Sequence, residues 1–215
     1  MIVNNFSLDI LADQYIEKIN KNNYTYFAIP DKSEYKIKMG NNGNTRADAF
    51  VYVDGEYIGT WRINTYSTII IERPANINKK FVLLKEGSSY ASKYGIVTGD
   101  TMNGLIKVVF KPEKNTMLFT NSWDRSTDRI YLKNCNTSAN DNNQTMAYNY
   151  SSGGTVLGNT SSQIFDNTSP LTNIDTNNIT TIYTRLVVKD NYNVQDKYMS
   201  LKNINNLPPP INTFF

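Results

Sequence analysis

The sequence of 215 residues contains no histidine and only one cysteine, Cys135. Without histidine there is no Ser-His or Cys-His nucleophilic system, and the commonest protein ligand of zinc is missing. A single cysteine cannot form a disulfide within the chain. The first ten residues, MIVNNFSLDI, also lack the basic region and the long apolar core of a signal peptide. Together these features predict a protein made in a reducing compartment.

Long apolar runs and blocks of like charge are missing as well. No apolar stretch approaches the roughly 20 residues that a bilayer-spanning helix needs, so we expect no membrane insertion. The chain carries 22 Lys and Arg against 19 Asp and Glu, which gives a net charge of +3. Because the two signs are interspersed, this small excess does not indicate a nucleic-acid surface. We therefore expect no nucleic-acid partner.

Aromatic residues and asparagine are abundant instead. The chain has 15 Tyr, 9 Phe and 2 Trp, which together with its Val, Ile and Thr favour strands over helices. Asparagine accounts for 31 residues. Asn suits turns and positive backbone φ, so its abundance predicts many connections, but it also accumulates in proteins encoded by AT-rich genomes. Both interpretations of the asparagine content stay open.

Residues 51–63 read VYVDGEYIGTWRI and predict a β-hairpin. A two-residue Asp-Gly link between runs of β-branched and aromatic residues favours a type I′ turn at Asp54 and Gly55. The predicted register pairs Val53 with Glu56, Tyr52 with Tyr57, Val51 with Ile58, Phe50 with Gly59 and Asp48 with Trp61. Alternation along the strand then places Tyr57 and Trp61 on one face. Both faces are apolar, which is typical of a central strand pair in a two-layer domain or of a pair that gives one face to a partner.

The N-terminal segment is predicted to contain a short helix. Ser7 is suited to cap its first turn. Four apolar residues follow at spacings of three, four and four, which places them on one helical face. They are Leu8, Leu11, Tyr15 and Ile19. The remaining elements predict an all-β protein, an antiparallel β-sandwich of the jelly-roll-like kind with this one short N-terminal helix.

The predicted organisation has four parts. Residues 1–33 hold the N-terminal helix and an arm, and residues 34–113 form a β-sandwich module. Residues 114–206 are an Asn/Ser/Thr-rich β region, which completes the same sandwich or consists of weak strands that rely on a neighbour for burial. Residues 207–215 are a Pro-rich C-terminal arm.

The C-terminal arm supplies candidates for docking on a partner. Three consecutive prolines, Pro208, Pro209 and Pro210, cannot join a central sheet and favour an extended rod. Phe214 and Phe215 at the end of such a rod would be exposed in a monomer. We therefore predict that these five residues contact another protein.

Three segments of the chain resemble a small β-sandwich module found in uncharacterised proteins of large DNA viruses of protists, the giant viruses and their relatives. They read EYKIKMGNNGNTRADAFVYVDGEYIGTWRI, IERP and GLIKVVFKPE, and the resemblance covers about residues 34–113. The shared elements are a strand, an Asn-rich turn, an Arg, a VDG hairpin, the ERP strand end and an NGLI hairpin. The resemblance implies an antiparallel sandwich, and no active site is known for the module. We expect the protein to be located in the virion and made in the host cytoplasm.

Carboxylates are the remaining candidates for catalysis or metal binding, and their surroundings argue against both. Asp124 and Asp128 are each followed by an arginine, which is more typical of a solvated charge ladder than of an acid–base pair. Asp141 lies among asparagines but lacks the spacing and the glycine of a Ca²⁺ loop. The sequence therefore predicts no catalytic residue, no metal site and no cofactor.

Aromatic residues beside polar ones are the candidates for ligand contact. The C–H faces of sugars stack on rings, while sugar hydroxyls need planar polar groups. On this basis Tyr57, Trp61, Trp123 and Asp124 are candidate glycan contacts, although a core position suits Trp61 better. Arg73 has two interpretations. It lies over an aromatic ring or pairs with a carboxylate at a sandwich edge, or it contacts an anion or glycan beside the hairpin aromatics.

The expected function is not enzymatic. Three features would leave apolar surface exposed in a monomer. They are the strands that are apolar on both sides, the weakly hydrophobic Asn-rich half and the arm that ends in aromatic residues. We therefore expect a structural component of a virus particle, such as a capsid-associated, vertex or surface-fibre subunit. It would assemble with other copies of itself and with other virion proteins. The alternative is a glycan-binding or host-attachment module.

Overall fold

The structure is a computed structural model that describes residues 1–115 and 150–189, and these residues form an antiparallel β-sandwich. The twelve strands within these ranges are β1 (Ile2–Val3), β2 (Phe6–Ala12), β3 (Glu17–Lys21), β4 (Tyr24–Pro30), β5 (Ser33–Asn41), β6 (Ala47–Val53), β7 (Glu56–Ile63), β8 (Ser67–Ile71), β9 (Lys79–Lys85), β10 (Leu105–Pro112), β11 (Tyr150–Thr160) and β12 (Thr180–Lys189). The same ranges contain one α-helix, α1 (Ser89–Lys93), and one 3₁₀ turn, Thr176–Asn178. The all-β fold class predicted from the sequence is confirmed.

The strands form two sheets that are joined by β11. Sheet one contains β1, β2, β5, β8 and β9, and sheet two contains β3, β4, β12, β10, β6 and β7. The first three residues of β11 pair with β12, and the rest of the strand pairs with β9. Gly153 and Gly154 lie where the strand passes between the sheets. A Cβ atom on Gly153 would come within 2.8 Å of Val188, and one on Gly154 within 2.9 Å of Ile96. The crossing therefore depends on residues without side chains.

The facing sides of the two sheets form the hydrophobic core. Phe6 of β2 stacks on Phe110 of β10 with ring centroids 4.6 Å apart, so the two sheets are in direct contact. Buried residues alternate with more exposed ones along most strands, as in β10, where Ile106, Val108 and Phe110 are fully buried. A period of two is expected where one face of a strand is buried.

The predicted N-terminal helix is wrong, because the first segment forms β2 and β3 instead. Within β2, Phe6, Leu8 and Ile10 are buried while the residues between them are partly exposed. This period of two outweighs the helical spacing that links Leu8 to Leu11. As β2 pairs with β5, Phe6, Leu8 and Ile10 all face the core between the two sheets.

The predicted hairpin turn is confirmed, but the register beyond it is wrong. Asp54 and Gly55 have φ values of +49° and +84°, as a type I′ turn requires. After Tyr52, which pairs with Tyr57, the register shifts by one residue at a bulge. The strand partners beyond it are Val51 with Gly59, Phe50 with Thr60, Ala49 with Trp61, Asp48 with Arg62 and Ala47 with Ile63. The extra residue in β7 moves every following side chain to the opposite face.

The predicted hairpin at Asn103-Gly104 is also wrong. These residues end a turn that follows α1, and β10 pairs with β6 and β12 instead of with a strand just before it. Gly104 has φ of +74°, and a Cβ atom there would lie 2.3 Å from the carbonyl oxygen of Leu186. The glycine therefore allows two backbones to approach closely.

Strands from both ends of the described chain pair with strands of residues 34–113. All seven residues of β2 pair with β5, and β12 lies between β10 and β4. The β12–β4 pair is parallel. The N-terminal strands and the strands after residue 150 therefore share one core with the strands between them.

Gly59 provides a test of the bulge. Its φ is +146°, and a Cβ atom there would lie 2.7 Å from Ala75 Cβ and 2.7 Å from the Trp61 ring. We expect Gly59→Ala to lower the free energy of unfolding by about 2–4 kcal/mol, because it adds both backbone strain and overlap. Urea denaturation followed by circular dichroism measures this.

Gly87→Ala is the matched control, since Gly87 also has positive φ, +75°, but open space around it. We expect this variant to lose only about 1 kcal/mol from backbone strain. Equal losses in the two variants would contradict the close packing at the bulge.

Candidate functional site

The bulge separates the two candidate ligand residues of the hairpin. Trp61 is 8% exposed and packs edge-on against Phe165, with ring centroids 5.6 Å apart. Tyr57 is 54% exposed and lies on the outer face of sheet two. The prediction that Tyr57 and Trp61 share a face is therefore wrong. Trp61 belongs to the core and presents little surface to a ligand, whereas Tyr57 remains accessible.

Arg73 closes one edge of the sandwich. It is buried, and its guanidinium carbon lies 4.2 Å from the centroid of the Phe165 ring. The guanidinium group donates hydrogen bonds of 2.9 Å to the backbone carbonyls of Gln163, Pro74 and Ala75. This matches the interpretation of an arginine lying over an aromatic ring. Its donors are directed at backbone carbonyls and not at an external anion.

The other candidate residues lie outside the described ranges. They are Trp123 and Asp124 among the glycan contacts and Pro208, Pro209, Pro210, Phe214 and Phe215 among the docking residues. These stay predictions from the sequence.

Asp54 has a second role that the sequence pattern did not indicate. Its carboxylate accepts hydrogen bonds from the backbone N–H of Gly104 at 2.8 Å and of Thr155 at 2.5 Å. The turn of the β6–β7 hairpin is thereby tied to the start of β10 and to β11. The Thr155 hydroxyl in turn shares a 2.8 Å hydrogen bond with the buried Tyr35 hydroxyl. A local turn residue thus connects both sheets.

The carboxyl group of Asp54 is largely enclosed, although the residue as a whole is only partly buried. Burial raises the pKa of Asp54 from 3.8 to about 7, and the two backbone N–H donors oppose this effect only in part. Burial also raises the pKa of Tyr35, with a smaller contribution from the Asp54 charge. Such a shifted carboxyl can mark a functional site, but here both of its oxygens are used within the fold.

An apolar cleft of about 340 Å³ opens beside this group. Asp54 and Thr155 form part of its wall, and Tyr57, Ile58 and Phe81 line it as well. Its polar groups are few. Because both carboxylate oxygens of Asp54 accept hydrogen bonds from the backbone, the cleft presents mainly apolar surface to a ligand.

The outer face of sheet two carries the more distinctive arrangement. Six side chains define what we call the aromatic–lysine face: Phe50, Tyr52, Tyr57, Lys107, Lys111 and Tyr183. One row of strand partners runs from Tyr183 through Lys107 and Tyr52 to Tyr57. The Tyr52 and Tyr57 rings are 5.5 Å apart, and Tyr57 lies 6.5 Å from Phe50. The rings of Phe50, Tyr52 and Tyr57 lie next to one another on the neighbouring strands β6 and β7, and Tyr183 lies on β12, on the far side of the β10 lysines.

Both lysines of this face lie over its rings. Lys107 Nζ is 3.9 Å from the centroid of Tyr52, and Lys111 Nζ is 4.0 Å from that of Phe50. These distances are typical of cation–π contacts. Two positive charges are therefore held directly above an aromatic floor.

The outer face of sheet one carries ion pairs, as sheet two does between Arg62 and Asp48. Lys80 lies 3.0 Å from Glu34, and Lys36 lies 3.3 Å from Glu72. The contact with Lys80 lowers the pKa of Glu34. The pKa of Glu72 is lowered mainly by a hydrogen bond from Ser161 and to a smaller extent by Lys36. Exposed pairs of this kind contribute little to stability and leave little net field.

Two further observations concern only residues 1–115 and 150–189. They contain no cluster of three or more Cys, Asp or Glu residues that could hold a metal ion. They also contain no helix of the length and apolar character that a bilayer span requires. Comparisons of the chain with protein-family models, with curated proteins and with solved structures find no match.

The pKa of Asp54 predicts a specific pH dependence of stability. Between pH 3.8 and about pH 7 the folded protein keeps a proton that the unfolded chain releases. The contribution of Asp54 to the free energy of unfolding is therefore fully present below about pH 4 and falls as the pH rises to about 7. At roughly 1.4 kcal/mol per pH unit, the fall is at most about 4 kcal/mol.

Comparison with Asp54→Asn isolates this effect from the other carboxylates. The amide does not titrate, and it cannot accept both backbone hydrogen bonds, so the variant is less stable than wild type at pH 5. We expect this difference to shrink by pH 8, as measured by urea denaturation at each pH. Parallel pH profiles of the two proteins would show that Asp54 does not retain the proton.

Proposed function

We propose that the protein is a non-enzymatic structural component of a virus particle, of the kind found in large DNA viruses of protists. It assembles with other copies of itself and with other virion proteins. The resemblance of residues 34–113 to proteins of those viruses supports the proposal. So does the antiparallel sandwich, since such a rigid two-layer scaffold can present several faces to neighbours in a symmetric array.

The observation that carries the assembly proposal is the exposure of the segment between β9 and β10. Tyr90 and Tyr94 of this segment are 54% and 58% exposed, and Val97 is 65% exposed. Tyr90 lies in α1, and Tyr94, four residues later, is the C-cap that follows it, so the two side chains lie on one side of the helix. We call residues 90–97 the tyrosine segment.

The tyrosine segment contacts the rest of the fold at several points, and Lys32 Nζ lies 4.6 Å from the centroid of the Tyr90 ring. Ala91 is the one buried residue of α1, and Ser88 caps the helix by accepting a 3.1 Å hydrogen bond from the Ala91 N–H. Ile96 packs on Gly154. Tyrosine is enriched at the centres of protein interfaces because it combines a large apolar body with a polar tip. A protruding segment with two such residues suits contact with a neighbouring subunit.

Light scattering coupled to gel filtration, over a range of protein concentrations, tests assembly. We expect a discrete oligomer for the full-length chain. Substituting Tyr90→Ser and Tyr94→Ser together should shift the population toward monomer, because the exposed rings no longer contribute buried apolar surface.

The double variant Tyr15→Ser, Tyr66→Ser is the matched control, since each of these tyrosines is 74% exposed elsewhere on the molecule. We expect it to keep the wild-type mass. A wild-type monomer at every concentration would contradict self-assembly, and equal dissociation of the two double variants would contradict the role of the tyrosine segment.

A further inference from the structure

We propose that the aromatic–lysine face binds an acidic oligosaccharide, one whose sugar units carry carboxylate or sulfate groups. The proposal stands apart from assembly, because it concerns the outer face of sheet two and not the tyrosine segment. It also places glycan contact at Phe50, Tyr52, Tyr57, Lys107, Lys111 and Tyr183, a set that includes only Tyr57 of the four residues expected from the sequence.

The first observation concerns the lysines, since neither forms an ion pair within the described residues, although Asp48 is the strand partner of Lys111. Among residues 1–115 and 150–189, no carboxylate forms an ion pair with Lys107 or Lys111. Asp48, the acidic residue on the same face of β6, is already paired with Arg62 at 2.5 Å. An anionic ligand would therefore complete the charge balance of this face without displacing a protein partner.

The spacing of the two ammonium groups fits a small polyanion. They lie over Phe50 and Tyr52, whose Cα atoms are about 7 Å apart because the two residues are two positions apart on β6. Each ammonium has an aromatic ring on one side and is therefore shielded from water there. Two anionic groups on neighbouring sugar units, or on one doubly substituted sugar, can meet both cations.

Tyr57 and nearby hydroxyls suit the neutral part of a sugar. Tyr57 is the most exposed ring of the face. Its hydroxyl shares a 2.7 Å hydrogen bond with Thr60 on the same strand, which fixes the ring at the end of the row. Sugar C–H groups can stack on the ring while the threonine and tyrosine hydroxyls bind sugar hydroxyls.

The face is also shaped as a strip with two walls. On one side Met102 encloses a small cavity of about 100 Å³ together with Tyr52, Lys107 and Tyr183. On the other side the segment 169–171 crosses the outer face, where Ser169 accepts a hydrogen bond from Arg62 and the Leu171 N–H donates one to Asp48. The strip between them spans four strands, a length of about 14 Å, and so suits a short linear chain.

An extended nucleic acid fits this face less well. A single strand carries one phosphate per nucleotide and needs a basic groove that follows its backbone. The face offers two lysines, and the net charge of the whole chain is only +3. An acidic glycan needs fewer cations and more hydroxyl partners, which is the balance found here.

Isothermal titration calorimetry of the full-length protein tests the proposal with four probes. They are a heparin-derived hexasaccharide, a galacturonate hexasaccharide, the neutral cellohexaose and a ten-residue oligothymidylate. We expect binding of at least one acidic hexasaccharide, weakened by added salt, and no binding of cellohexaose. Oligothymidylate should bind more weakly than the better acidic sugar.

Two double variants with the same change in charge locate the site. Lys107→Gln with Lys111→Gln should weaken acidic-sugar binding about 10- to 100-fold, because two charge-assisted contacts are lost. Lys38→Gln with Lys79→Gln removes two exposed lysines of sheet one and should bind within about twofold of wild type. Tyr57→Ala should also weaken binding, and unchanged far-ultraviolet circular dichroism would show that each variant folds.

The proposal is overturned if neither acidic hexasaccharide binds, or if the two double variants lose affinity equally, since that result would mean attraction by overall charge. Tighter binding of oligothymidylate would assign the face to nucleic acid instead. Light scattering of the same samples shows whether the wild-type protein is monomeric. A monomer that binds the acidic sugar would retain this proposal and contradict only assembly.

Discussion

The extra residue in β7 between Tyr57 and Gly59 decides which hairpin side chains enter the core. Without it Trp61 would lie beside Tyr57 on the outer face, and the small buried side chains Ala47 and Ala49 would lack their large partners. With it, Trp61 packs inward and Tyr57 stays outside. Gly59 makes this arrangement possible, because its conformation and its 2.7 Å approach to Ala75 leave no room for a side chain.

The hairpin contributes to both surfaces of sheet two. On the inner side, Trp61 packs against Phe165, and the Arg73 guanidinium lies over the Phe165 ring. These three residues close one edge of the sandwich. Outside, Tyr57 completes the row of rings above which Lys107 and Lys111 lie. The register shift therefore turns Trp61 into the core, while Tyr57, which pairs with Tyr52 before the bulge, stays on the proposed glycan-binding face.

The sequence predicted features whose causes are local. The type I′ turn follows from Asp54-Gly55, the strand content follows from aromatic and β-branched residues, and Arg73 lies over a ring as one interpretation expected. It did not predict the bulge, because nothing in VYVDGEYIGTWRI shows that Ala75 would leave space only for a glycine at position 59.

Other features depended on contacts far along the chain. The partners of the Asp54 carboxylate are 50 and 101 residues away, so a turn motif could not indicate its burial. The N-terminal segment was ambiguous for a related reason. Its apolar residues fit a helix at some spacings and a strand at others, and only pairing with β5 decides between them.

The register of the hairpin can be measured directly by nuclear Overhauser contacts between backbone protons in the isotopically labelled protein. The structure requires cross-strand contacts between Ala49 and Trp61 and between Val51 and Gly59, because these residues are strand partners. Contacts that pair Asp48 with Trp61 and Val51 with Ile58 would contradict the bulge. They would also move Trp61 from the core to the outer face of sheet two, beside Tyr57.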